Sequence, residues 1–323
     1  DIFIKVSMSS NMHKHTNNVI SALGNAPGFE TIKAEDCKIT RLGGMTNLVH
    51  LVETKDANIV VRIPGEGTED YINRATELTN ATAAWRAGIS PEVIWADVKT
   101  GVMISRAIDG IETMTPALFS TRLGSPTRAG EALAKLHNSG ETFDFRFELF
   151  TMIADYLKVL STKDVELPDG YHDIVKAANP VKEVLEANPM PPAPCHCDPL
   201  CENFLDDGKS MWIVDWEYSG MNDPLWDLGD LSVEAGMNES QEAELLSAYF
   251  GAEPTAAQKG RVIIYKAMCD LLWTLWGLIQ LADGNPADDF WVYAKERFER
   301  CKALMQKKDF DEHVAAVKES VLD

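Results

Sequence analysis

The 323-residue chain sets 30 Lys and Arg against 50 Asp and Glu, a formal net charge of −20, with 45% hydrophobic and 25% charged residues. These proportions describe a folded globular protein able to bury a substantial core, as one large domain or two lobes, and they exclude a disordered chain. The negative balance opposes a nucleic-acid backbone or an anionic membrane surface and is compatible with a small cation as partner.

No apolar run reaches the roughly 18 residues that span a bilayer, so no membrane insertion is expected. The best candidate, 271–282, is shorter and carries Thr274 and Gln280. Residues 1–5 lack the pattern of a signal peptide, and six cysteines in this length do not make a secreted disulfide framework. A cytoplasmic protein is expected.

In chain order, Val19, Ile20 and Leu23 before Gly24 predict a short leading helix. Residues 38–42, 48–52 and 59–63 alternate as strands, joined by a turn with Gly43 and Gly44 and by a polar turn at 56–58, which reads as an antiparallel meander. A glycine pair at a hairpin tip lets backbone N–H groups approach phosphates, although most such pairs are only turns. No Gly-Lys-Ser/Thr follows it, so this is not a Walker A loop.

Residues 69–87 predict a helix whose apolar face is Ile72, Ala75, Leu78, Ala81 or Thr82, and Trp85. Mid-helix Glu77 is the natural partner of Arg62 at the end of the third strand, or else an exposed charge. A second hairpin, 93–95 with 102–104, leads into a hinge at 105–110. Helices are then expected at 127–138, 147–160 and 174–187, before the prolines of 189–194 stiffen the entry to the next segment. Beyond it lie a long helix at 256–282 and a last amphipathic one at 288–307.

The segment 195–220 concentrates the chemistry. It holds His196-x-Asp198, with Asn203 five residues after the aspartate, and Asp215 closing the apolar strand 211–214. A general base, an amide ligand and a carboxylate ligand in that order fit kinase-type phosphoryl transfer, where positioning and charge neutralisation do most of the catalysis. Asp198 would orient and deprotonate an attacking hydroxyl, while Asn203 and Asp215 supply hard oxygen ligands for magnesium. His196 reads as a prop of the loop. Cys195, Cys197 and Cys201 lack paired zinc knuckles and read as buried fillers. Asp223 or Asp227 would either support the catalytic loop or cap the next helix.

These residues resemble the choline/ethanolamine kinase branch of the kinase-like phosphotransferases, from about residue 38 to about residue 300. Gly43, Gly44, Met45, Thr46 and Asn47 resemble its nucleotide loop, and Arg62, Ile63, Pro64 and Gly65 its arginine-bearing third strand. Ile72, Asn73, Arg74 and Glu77 resemble the helix that follows. The resemblance implies ATP and Mg2+ as cofactors, Asp198 as base, and Asn203 and Asp215 as metal ligands. Trp273 and Trp276, on one helix face, and Tyr293 resemble elements that line the choline pocket; Glu217 and Glu234 would add charge attraction.

The implied fold is α/β in the α+β sense: two kinase-like lobes, a small antiparallel-sheet lobe at 1–107 with a leading segment 1–36, and a mainly helical lobe at 108–323. The implied reaction is ATP-dependent phosphorylation of choline, with ethanolamine, thiamine or an aminoglycoside as alternatives and a non-catalytic cation-binding protein as the rival of another class. The sequence leaves the oligomeric state open.

Overall fold

A computed structural model describes residues 16–43, 47–65 and 72–320. Gly44, Met45 and Thr46 of the expected nucleotide loop, and the first residues of the expected 69–87 helix, lie outside these.

The leading helix α1 (16–23) packs Val19 and Leu23 onto one face of a five-stranded antiparallel sheet. Its strands are β1 (Cys37–Arg41), β2 (Leu48–Thr54), β3 (Asn58–Ile63), β4 (Val93–Ala96) and β5 (Met103–Arg106), in the order β1-β2-β3-β5-β4. Period-two alternation buries Ile59 and Val61 of β3 with Val52 of β2 and Ile104 of β5. The same alternation turns Arg62 to the other face, towards α2 (Arg74–Arg86).

Helix α2 departs from its expected face. Arg74, Glu77, Asn80, Ala81, Ala83 and Ala84 are buried, whereas Trp85 is 39% exposed and Ala75 is exposed. The polar stripe wins because every one of its polar groups finds a partner inside, as described below, which apolar periodicity does not register. The helix begins at Arg74, where the Asn73 side chain caps the N–H groups of Ala75 and Thr76.

The chain passes between lobes after Arg106, and β6 (Glu112–Thr113), a strand that the sequence reading did not foresee, pairs with a hairpin of the large lobe. Helices α3 (Pro116–Thr121), α4 (Ser125–His137), α5 (Leu149–Leu160) and α6 (Tyr171–Ala187) follow. The proline segment then enters β7 (Ala193–Cys195), and the hairpin of β8 (Phe204–Asp206) and β9 (Met211–Ile213) leads to β10 (Gly220–Asn222). Strand β7 pairs with β10, and β6, β8 and β9 form a three-stranded sheet.

The remaining helices are α7 (Leu225–Glu234), α8 (Glu239–Phe250), α9 (Ala256–Ala282), α10 (Phe290–Met305) and α11 (Phe310–Glu319). The last corrects the expectation that the helix at 288–307 ends the fold: Phe310 and Val317 are buried against the large-lobe core. Helix α9, capped by a reciprocal Thr255–Gln258 box, is longer than the 271–282 run and is apolar enough to cross a membrane by length and composition. Yet 78% of its most apolar window is buried inside the protein, among α7, α10 and α11, as in a core helix.

Candidate active site

Residues 196–203 form a loop held at both ends by antiparallel pairs, β7 with β10 and β8 with β9. Its turn is fixed from below by Asp227 of α7. That buried carboxylate accepts the backbone N–H of His196 at 2.8 Å and of Cys197 at 2.9 Å, together with His137 Nε2 at 2.9 Å. Trp226 Nε1 donates to the Cys197 carbonyl at 3.0 Å. Cys197 is held at φ +69°, a left-handed conformation costly for a residue with a side chain, and this network sustains it.

The two aspartates that sequence reading grouped have therefore separated. Asp227 supports the loop, while Asp223 caps α7 through the Leu225 N–H and binds Arg261 and the Tyr265 hydroxyl. His196, buried, bonds to the Val214 carbonyl at 2.8 Å and lies against Trp216, and burial lowers its pKa. It stands where a prop would. The six cysteines are free, and Cys195, Cys197 and Cys201 are buried fillers. Cys195 does approach His137 and Asp227, with candidate ligand atoms within 4.8 Å. Both His137 ring nitrogens are already bonded, to Tyr249 and Asp227, and burial pushes the thiol pKa well up, so this is a buried polar network rather than a metal cage.

Asn203 donates its amide to the Asp198 carbonyl at 3.2 Å, and its own carbonyl accepts the Val214 N–H at 2.9 Å, which ties the loop to the residue preceding Asp215. Asp215 also has a positive φ, +67°. Burial first, then the charge of Asp215, pushes the Asp198 pKa up to about 8; burial and Glu217 push Asp215 up to about 7. Acids held this way have too much negative charge around them and gain from a cation.

On the small-lobe side, Arg62 makes a two-pronged pair with Glu77, with one contact at 3.0 Å, and donates to the Gly101 carbonyl at 3.0 Å. Glu77 is thus a buried partner and not an exposed charge. Gly101 is required here: it has φ +73°, and a Cβ would lie 2.7 Å from Arg74 Nε. Arg74 bridges Glu77 at 2.8 Å and Glu217 at 2.6 Å, and Asn47 donates to Glu217 at 3.0 Å. Glu217, expected with the substrate residues, bonds to Arg74 and Asn47 of the small lobe. Candidate ligand atoms of Glu77, Asp215 and Glu217 lie within 4.8 Å of one another. Asn80 completes the buried stripe of α2 by donating to Ser219.

The aromatic residues do gather. Ring centroids run from Tyr218 to Trp273 at 6.1 Å, from Trp273 to Trp276 at 6.3 Å and from Trp276 to Tyr293 at 5.5 Å. Gly277 allows α10 to approach α9 here, since a Cβ would lie 2.7 Å from the Tyr293 ring. The Arg297 guanidinium lies 3.8 Å from the Tyr293 ring centroid and pairs with Glu234 at 3.2 Å, and Arg300 holds Glu234 and Asp270. Beside Asp198, the acids Asp230, Glu234 and Asp270 lie with the guanidinium groups of Arg297 and Arg300 among aromatic rings, surroundings that suit a cationic ligand.

The sequence assigns no role here to Asp230 or Arg300; Tyr218 follows Glu217, and Arg297 belongs to the Tyr293-Ala294-Lys295-Glu296-Arg297-Phe298 element, i+4 from Tyr293.

A family model described as the phosphotransferase enzyme family matches residues 38–259. A choline/ethanolamine kinase family protein from Mesorhizobium loti is 58% identical, with TM-score 0.88, over 94% of this chain and 99% of that one. The choline kinase LicA from Streptococcus pneumoniae is 27% identical, with TM-score 0.69, over 84% of this chain and 94% of that one. Protein LicA of Haemophilus influenzae is 28% identical over 86% of this chain and 83% of its own length. The fold, a small antiparallel-sheet lobe followed by a helical one, is shared with these kinases.

Proposed function

Because the chain belongs to the phosphotransferase enzyme family, and within it to the choline/ethanolamine kinase family, we propose that it is an ATP- and magnesium-dependent choline kinase, converting choline and ATP to phosphocholine and ADP. The observation that carries this reading is that Tyr218, three residues after Asp215 on the segment that also bears Asp198 and Asn203, packs against Trp273 in a group with Trp276 and Tyr293 from far along the chain.

The donor set fits magnesium. Asp215 and Asn203 offer hard oxygens, and the raised acids mark an excess of negative charge that a divalent cation would relieve. When bound, the ion would supply charge neutralisation for the phosphates. Asp198 orients the choline hydroxyl and accepts its proton as the new bond forms. Arg62, fixed by Glu77, would meet the nucleotide phosphates as a charged donor. The aromatic faces of Trp273, Trp276 and Tyr293 hold the quaternary ammonium, and Glu234 contributes charge from its arginine-held position.

The test is a coupled ADP-release assay with choline, ethanolamine, thiamine and an aminoglycoside, each with and without Mg2+. Turnover of choline that requires Mg2+ is expected. Choline-dependent melting shifts without ADP release would favour a binding protein instead.

A further inference from the structure

Helix α7 carries three carboxylates on one face, Asp227, Asp230 and Glu234, spaced three and four residues apart. The outer two are engaged: Asp227 by the catalytic loop and His137, Glu234 by Arg297 and Arg300. Asp230, between them, is 1% exposed, and neither of its oxygens has a hydrogen-bond partner among the described residues. A buried carboxylate in that condition is costly to the fold, and a protein keeps such a group where something else repays it. The charges acting most strongly on it belong to Glu234, Asp198, Asp227 and Asp270, and it acts in turn on Tyr293, so it lies near both the base and the aromatic group. Arg300 is committed to Asp270 and Glu234, and Arg297 to Glu234 and the Tyr293 ring.

An outside donor would satisfy it. A quaternary ammonium has no N–H and asks only for aromatic faces, whereas a primary or partly methylated ammonium needs acceptors that rings do not provide. We propose that Asp230 is a specificity residue of the ammonium site, accepting hydrogen bonds from head groups that carry N–H and so admitting ethanolamine and its partly methylated derivatives beside choline. This rests on the choline/ethanolamine kinase reading above.

The experiment measures kcat/KM for ethanolamine, its N-methyl and N,N-dimethyl derivatives and choline, in the wild type, in Asp230→Asn and in Asp230→Ala, with the melting temperature of each protein. Asp230→Asn should lower kcat/KM for ethanolamine about tenfold more than for choline, in keeping with a charge-assisted hydrogen bond, with the methylated substrates graded between. Its Tm should not fall, because neither Asp230 oxygen has a partner to lose. Asp230→Ala should show the same change of ratio. Equal losses on all four substrates, or a lowered Tm with the ratio unchanged, would mark Asp230 as merely structural and overturn the proposal. A wild type inactive on all four overturns the kinase reading itself, whereas an active wild type with an unchanged variant ratio overturns this inference alone.

Discussion

Asp227 and Cys197 are joined by one hydrogen bond, from the Cys197 backbone N–H to Asp227 Oδ1 at 2.9 Å, and through it a helix 30 residues further along the chain holds the residue before the candidate base in a left-handed conformation. The same carboxylate also accepts from His196 and His137. Asp227→Ala should therefore lose stability by about 3 kcal/mol or more, since several buried donors lose their acceptor. Turnover should fall in the protein that remains folded. Urea denaturation and a coupled kinase assay measure the two effects; wild-type kcat in the variant would show that the loop keeps its shape without this anchor.

Asp198→Ala should lower kcat by about 10²–10⁴-fold, the usual worth of a positioned acid–base group. The fold should tolerate it, because the raised pKa of Asp198 reflects burial and repulsion from Asp215, not a stabilising partner. Circular dichroism and single-turnover kinetics check both halves, and substantial residual chemistry would remove Asp198 from its assigned role.

Both raised acids have a consequence for pH. Folded Asp198 at about 8 and Asp215 at about 7 bind protons more tightly than the unfolded chain does. Between the ordinary carboxylate range and about pH 8 the native state thus holds more protons, and its stability should fall as pH rises through that window. Mg2+ with nucleotide should flatten the slope, since a cation favours the ionised forms. Melting temperature across that range, with and without both, is the measurement; a slope that Mg2+ leaves untouched would argue against a metal at these residues.

Glu77 lies between Arg62 and Arg74, all three nearly shielded from water. Removing one member of such a cluster leaves uncompensated buried charge, at a cost of about 3–5 kcal/mol. Glu77→Ala should also raise KM for ATP more than KM for choline, because Arg62 loses its orientation. Equal effects on the two would place the cluster outside nucleotide binding.

For Trp273→Ala the balance should reverse. KM for choline should rise about twofold to thirtyfold, the worth of one aromatic face to a cation, with little change in KM for ATP. Trp273 is only 7% exposed, so Tm will fall as well, and the KM ratio separates the two contributions.

The amino-acid sequence by itself determined the local elements and the order of the chemistry. Period-two and helical patterns placed the three-stranded meander, the strand at 211–214 and the long helix α9, because these depend on which face of each element must leave water. The His-x-Asp, Asn and Asp spacing singled out Asp198, Asn203 and Asp215 as candidates, which are close in the chain and flank one hairpin.

Tertiary structure alone decided whatever depends on a partner far along the chain. Apolar periodicity misplaced the buried face of α2, since Arg74, Glu77 and Asn80 are paid for by ion pairs and hydrogen bonds to Arg62, Glu217 and Ser219. It also could not show that Glu217 turns to Arg74 and Asn47, that Asp227 anchors the loop while Asp223 does not, or that Asp230 is buried without a partner. A carboxylate reads the same in sequence whether it meets an arginine, a backbone amide or nothing; only packing sets its surroundings, and its surroundings set its role.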